Sequence, residues 1–237
     1  MTIVLEEAYA AYEQRVRSLE HLVLGPIKKV KSGVSLDYKE LDNTKAYTIL
    51  AYAESEHFVE YLANGVLEII GSYLDALEAE IPNLETSGHK LNAGVLDRAS
   101  GFLEKLDVKK GEQKNVEQLL QGKKLAKSFP LKHTLDVLRG RLRSRTSDIK
   151  ANNGLNIADM SKLFDRAGFE TEKKYSALRG RLELLTKQRS RFAHTGEIFF
   201  AEGVRELPDP GTQQELVKLI SIDLADFTSE ILKLRLR

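Results

Sequence analysis

Arg189 and His194 lie in "KQRSRFAHTG", residues 187–196, where charge interrupts an apolar stripe. The stripe runs Leu178, Leu182, Leu185, Arg189 and Phe192, so a helix carries Arg189 on its apolar face. A permanent charge is costly to desolvate, and an arginine placed there wants a carboxylate, a phosphate or a cleft. A core ion pair, or a stem that snorkels to water, would satisfy it equally. His194 offers a ring that titrates near neutrality and can take or give a proton. It also suits the C-terminal end of a helix, where an imidazole complements the dipole. A guanidinium holds two phosphoryl oxygens at once and offsets charge developing on them. Together these groups suit attack of a ribose 2′-hydroxyl on its own phosphate, which needs no metal. Five residues turn a regular helix by about 140°, so Arg189 and His194 would not share a face, whereas Arg191 and His194 would. Gly196 signals that the helix ends or unwinds close by, and a two-fold dimer is another route to bringing two such helices together.

The elements that must position these residues read as helices. Apolar residues recur at steps of three and four along most of the chain, and strand alternation is almost absent, which predicts an all-α fold. Leu5, Tyr9, Tyr12, Val16, Leu19 and Val23 mark a first helix, stopped by "GP" at 25–26, with a loop near 26–42. A long helix follows to about residue 80, capped by Asp42 or Asn43, with Phe58, Leu62, Val66, Ile69, Tyr73 and Leu77 as its stripe. Gly65 and Gly71 within it point to a bend or a close helix contact. The more polar middle predicts two shorter helices near 91–107 and 113–127. Helical order returns with Leu131, Leu135, Leu138, Leu142 and Ile149, and "NNG" at 152–154 is a turn. A short helix over about 156–167, the helix over about 171–194, a two-proline loop at 206–211 and a last helix through Leu216, Ile220, Leu224, Phe227, Ile231 and Leu234 complete the chain. The whole of 1–237 reads as one domain, with 82–129 a candidate helical insertion.

Composition narrows the functions available. The chain has 237 residues, 42% hydrophobic and 30% charged, as a soluble globular protein does. No run approaches the roughly 18 uncharged apolar residues of a membrane span. The opening "MTIVLEEAYAAYEQRVRSLE" resembles neither a signal nor a transit peptide, so the expected compartment is the cytoplasm. With zero cysteines, disulfides, cysteine metal sites and thiol catalysis are excluded. The five histidines show no metal-ligand spacing, no P-loop or G-x-G-x-x-G occurs, and no serine sits in a nucleophile context. No metal or cofactor is expected. The net charge is only +1, yet "RGRLRSR" (139–145) and "RGRLELLTKQRSR" (179–191) concentrate basic residues. Such patches can hold phosphate, or are simply solvated helix faces. Arg139 and Arg143, one turn apart, share a face able to track an RNA backbone, whereas Arg141 and Arg145 spread charge around the helix.

"RSRFAH" matches the R-x4-H motif of the HEPN superfamily, all-α domains that include many metal-independent ribonucleases. "ILAYAESEHFVEYLANGVLEII" resembles the family's early helix, in which an acidic "AxxExE" run leads into an apolar face. "NNGLNIADMSKLFDRAGFE" resembles the Asn-Gly turn and short helix upstream of the motif in a bacterial, defence-associated branch. "LLTKQRSRFAHTG" is similar to that branch's closing "KRGxxAH" signature. These blocks cover about 50–70 and 150–196, in the family's order. The family position after the motif arginine is usually Gly, Asn or Asp, and here it is Ser190.

The resemblance implies a HEPN-like helical bundle with additional helices, and Arg189 and His194 as a catalytic pair. Arg189 would hold the scissile phosphate and His194 would act as general acid or base. It implies a homodimer with both motif copies lining one cleft, no cofactor, RNA as substrate, and a toxin or anti-phage role with an antitoxin or other protein partner. Glu56 and Glu60, one turn apart on one helix face, are the best candidates to orient the arginine, with a solvated acidic face the plainer reading of Glu60. Ser190 and Arg191 are supporting residues. The alternative is a non-catalytic HEPN-like binding module, a scaffold or neutralising partner, or a helper of a nucleotidyltransferase.

Overall fold

The computed structural model describes residues 5–25, 38–79, 82, 110–120, 130–152, 154–164, 171–194 and 209–236; the side chains of 38, 110, 120, 194 and 234–236 lie outside that description. Among the described residues every regular element is helical. In order they are α1 (Leu5–Leu19), extended by a π-helical turn over Glu20–Leu24, α2 (Tyr38–Ala79), α3 (Lys110–Leu120), α4 (Leu131–Lys150), α5 (Ile157–Phe164), α6 (Thr171–Lys174), α7 (Ser176–His194) and α8 (Pro210–Leu236).

Helix α2 is the centre of the bundle, and α1, α4, α7 and α8 all pack on it. Its predicted stripe is buried throughout, and Val59, Ala63, Ile70 and Leu74 are buried beside it. A helix clasped by several neighbours buries more than one stripe, which is why "EIIGSYLDAL" is so rich in apolar residues. Gly65 is the close contact that its presence predicted: a Cβ there would lie 2.8 Å from Leu5 Cδ2 of α1. Gly71 has open space around it. Tyr12 stacks on Phe58 with ring centroids 4.8 Å apart, and its hydroxyl pairs with Ser55 at 3.2 Å. Tyr9 donates to the Ser221 carbonyl at 3.2 Å, tying α1 to α8. In α4 the predicted Leu131, Leu135, Leu138, Leu142 and Ile149 are all buried, as are Leu216, Ile220, Leu224, Phe227 and Ile231 of α8.

Three boundaries differ from expectation. Helix α2 begins at Tyr38, so Asp42 and Asn43 lie inside it rather than capping it. Leu41, Thr44 and Tyr47 are buried and Thr48 donates to Gln213 of α8 at 3.3 Å, so tertiary packing carries the helix back past the capping residues. The helix expected over 171–194 is interrupted at Tyr175, where the ring seats on Phe227 with centroids 4.6 Å apart. Pro210 and Gly211, expected in a loop, form the first turn of α8. Asp209 caps that turn, accepting from the Thr212 N–H at 2.7 Å, and proline fits the first helical position because its missing N–H has no partner there anyway. Within 82–129, α3 covers 110–120, and Val116 and Leu119 join the core. The helix expected over 91–107 and the end of the one expected over 113–127 lie outside the described residues.

Candidate functional site

Tyr52, Glu56 and Glu60 follow one another at four-residue steps and so occupy one face of α2. Tyr52 is 5% exposed and donates its hydroxyl to Glu56 Oε1 at 3.2 Å. Glu56 and Glu60 are half-buried. The turn after α4 comes down on this face. There Asn152, itself buried, donates from Nδ2 to the Gly154 carbonyl at 2.8 Å and to Glu60 Oε1 at 3.4 Å. Its Oδ1 is buried with no hydrogen-bond donor among the described residues. A Cβ at Gly154 would come within 2.5 Å of Asp159 Oδ2, the end of a side chain that can turn aside. Asn156 starts α5 as its cap, with Oδ1 accepting from the Asp159 N–H at 3.0 Å.

Helix α7 brings the arginine. Leu178, Leu182 and Leu185 are buried as predicted, but Arg189, in phase with them, is exposed. This corrects the expectation of a buried arginine at that position. The azimuth holds, because Arg189 does face α2; what it meets there is the polar edge made by Tyr52 and Glu56, not apolar core. Its guanidinium carbon lies over the Tyr52 ring, 5.3 Å from the centroid.

The buried arginine of α7 is instead Arg179, 6% exposed. It donates to Ser161 Oγ at 3.0 Å, and to the Ile157 carbonyl and Thr171 Oγ1 at 3.4 Å each, joining α5, α6 and α7. Glu183, one turn on, accepts from the Ile157 N–H at 3.2 Å and so holds the start of α5.

The electrostatics of the cluster follow from burial. Burial pushes the Glu56 carboxyl up; the Tyr52 hydroxyl and Arg189 pull it down, and Glu60 and Asp159 add to the rise. The Tyr52 hydroxyl is pushed up to about 12, by burial first and then by the neighbouring Glu56 charge. Arg189 and a backbone hydrogen bond from Leu155 work against that rise. At neutral pH Tyr52 is therefore a donor. No group of side chains among the described residues has the arrangement of a metal site.

The structure brings together Arg189, Glu56 and Glu60 from the sequence-derived candidates. Glu60 is more than a solvated acid, since Asn152 binds it. Ser190 and Arg191 are exposed and follow Arg189 around α7 by about 100° each. Helix α7 continues to His194, so the backbone positions of Arg189 and His194 are separated by the full turn of about 140°; the imidazole lies outside the described residues. Arg139 and Arg143 are elsewhere. Arg139 pairs with Asp75 at 2.6 Å and with Glu78, roughly 29 Å along α2 from Glu56 at 1.5 Å per residue. Arg143 is exposed one turn further along α4.

Tyr52, Asn152 and Asp159 were not singled out from the sequence. Tyr52 carried a signal, its four-residue step from Glu56, and Asn152 was visible only as part of a turn. Comparison with family models, curated proteins and solved structures finds no match to this chain. No helix among the described residues is long and apolar enough to cross a membrane.

Proposed function

We propose that this chain is a HEPN-like protein acting as a metal-independent endoribonuclease, a cytoplasmic toxin or anti-phage effector that works as a homodimer and is restrained by a protein partner. One observation carries the reading. The three sequence blocks on which the HEPN resemblance rests meet at one place: Tyr52, Glu56 and Glu60 of the early helix, the Asn152–Gly154 turn, and Arg189 of the R-x4-H motif.

In the proposed reaction His194 of the pair removes the proton from a ribose 2′-hydroxyl. That oxygen attacks the adjacent phosphorus and forms a bond to it, while the bond to the 5′-oxygen breaks. The leaving oxygen takes a proton from the imidazolium so formed or from water, and the products are a 2′,3′-cyclic phosphate and a 5′-hydroxyl end. Arg189 binds the phosphoryl oxygens and offsets the charge that grows on them. Glu56 supports Arg189 through the Tyr52 cluster, Ser190 and Arg191 flank it, and Arg143 contributes to holding the RNA backbone. Arg139 serves that role only if it leaves Asp75 and Glu78.

A second reading has its own observation. Helix α7 is continuous through His194, which sets the two motif positions about 140° apart on one protomer. That favours a non-catalytic binding module, unless a second protomer completes the site. Induced expression of wild type, Arg189→Ala and His194→Ala, with growth and total RNA followed together, separates the two. Growth arrest with RNA fragments, lost in both variants, supports the nuclease. Harmless expression with intact RNA from a wild-type dimer rejects it in favour of the binding module. Co-purification of a second chain from the native source supports the restrained-toxin or helper role.

A further inference from the structure

We propose that Tyr52 is the positioning residue for Arg189, its ring face seating the guanidinium so that the arginine keeps its N–H groups for a phosphodiester. The inference rests on the nuclease reading for the identity of that phosphodiester.

The geometry separates two ways of holding an arginine. A carboxylate clamp takes two of the five guanidinium N–H groups and cancels the charge. An aromatic face takes none of them and leaves the charge uncancelled. Arg189 is exposed beside the half-buried Glu56, yet the described contact is with the Tyr52 ring, at 5.3 Å from its centroid. No carboxylate among the described residues lies within ion-pair distance of Arg189, whereas on the same helix Arg181 pairs with Asp223 and Lys187 with Glu183.

The seat itself is fixed. Tyr52 is 5% exposed, its hydroxyl donates to Glu56, and the Leu155 backbone donates to it in turn. Leu155 follows the turn that Asn152 ties to Glu60. Both the early helix and the Asn-Gly turn therefore act on the arginine through one phenol. Glu56 contributes through that phenol and through its charge, and needs no direct grip on Arg189.

The test replaces the ring in two ways. Tyr52→Met fills most of the space without a π face. Tyr52→Phe keeps the face, and phenylalanines carrying two and then five fluorines at position 52 keep the shape while draining its negative charge. Three quantities are read in the full-length protein: the Arg189 Nε–H resonance, affinity for a 2′-O-methyl oligoribonucleotide that cannot be cleaved, and the rate of RNA cleavage.

The expected result is an Arg189 resonance shifted by the ring in wild type and Tyr52→Phe, and displaced in Tyr52→Met. Affinity for the analogue should fall stepwise with fluorination, by roughly two- to fivefold in all, the range of an exposed cation–π contact. Tyr52→Met should approach Arg189→Ala. An unmoved Arg189 resonance, or fluorinated variants that bind like Tyr52→Phe, overturns the proposal even if wild type cuts RNA. If wild type cuts no RNA but analogue affinity still follows fluorination, the nuclease reading fails and the seat stands. Should Tyr52→Met not fold, the fluorinated series decides alone, because it leaves the packing unchanged.

Discussion

Arg179 and Arg189 stand ten positions apart on α7, and the structure assigns them opposite energetic roles that substitution by methionine will separate. Arg179 is 6% exposed and makes one hydrogen bond at 3.0 Å and two at 3.4 Å. A hydrogen bond from a charged donor contributes about 1.5–3 kcal/mol. The two long ones are near the limit of useful geometry, so each counts for about half of that or less. Arg179→Met then loses about 3–6 kcal/mol gross at those three bonds. Removing a desolvated guanidinium returns part of this, for a net loss of about 2–4 kcal/mol. Arg189→Met loses one exposed cation–π contact, about 0.5–1 kcal/mol. Urea unfolding followed by circular dichroism at 222 nm, with the slope checked for constancy, measures both. Equal losses for the two variants, or a larger loss at Arg189, would refute the assignment of Arg179 as the buried staple between α5, α6 and α7.

Two further predictions concern pH. Glu56 titrates higher in the fold than in the unfolded chain, chiefly through burial, so its ionisation costs stability as pH rises through the carboxylate range. Glu56→Gln should therefore raise the melting temperature at pH 7 and lose that advantage below about pH 4; a lower melting temperature at pH 7 would contradict the burial argument. Glu230 behaves oppositely: hydrogen bonds from Lys174 and Lys233 lower its carboxyl to about 2. Its contribution is present above the unfolded value and fades as pH falls towards 2, so Glu230→Gln should flatten the acid limb of the stability curve between about pH 4.5 and 2. An acid limb unchanged by that substitution would show that the lysine contacts on α8 and α6 add nothing in solution.

Periodicity in the sequence carried much of this protein. Apolar steps of three and four determined that the described chain is helical, and they named the buried stripes of α2 and α4, Leu178, Leu182 and Leu185 of α7, and Leu216 to Ile231 of α8. They also placed Arg189 at the right azimuth, facing α2, and put Glu56 and Glu60 on one helical face. Periodicity records direction around a helix axis, however, and says nothing of what stands opposite. Whether Arg189 met apolar core or a polar edge depended on Tyr52, 137 positions earlier in the chain. Arg179 is next in sequence to the buried Leu178, and nothing local marks it as the arginine that is buried. Ser161, Ile157 and Thr171 provide acceptors only once α5 and α6 fold against α7. The start of α2 was misread because Asp42 and Asn43 are good caps in isolation, whereas Thr48 and its neighbours gain more by packing on α8. The turn at 152–154 was visible as a turn, and its amide contact with Glu60 was not. Local chemistry decided the elements and their faces; only the tertiary structure decided which charges those faces would meet, because that requires side chains far apart in sequence to share one small, partly desolvated space.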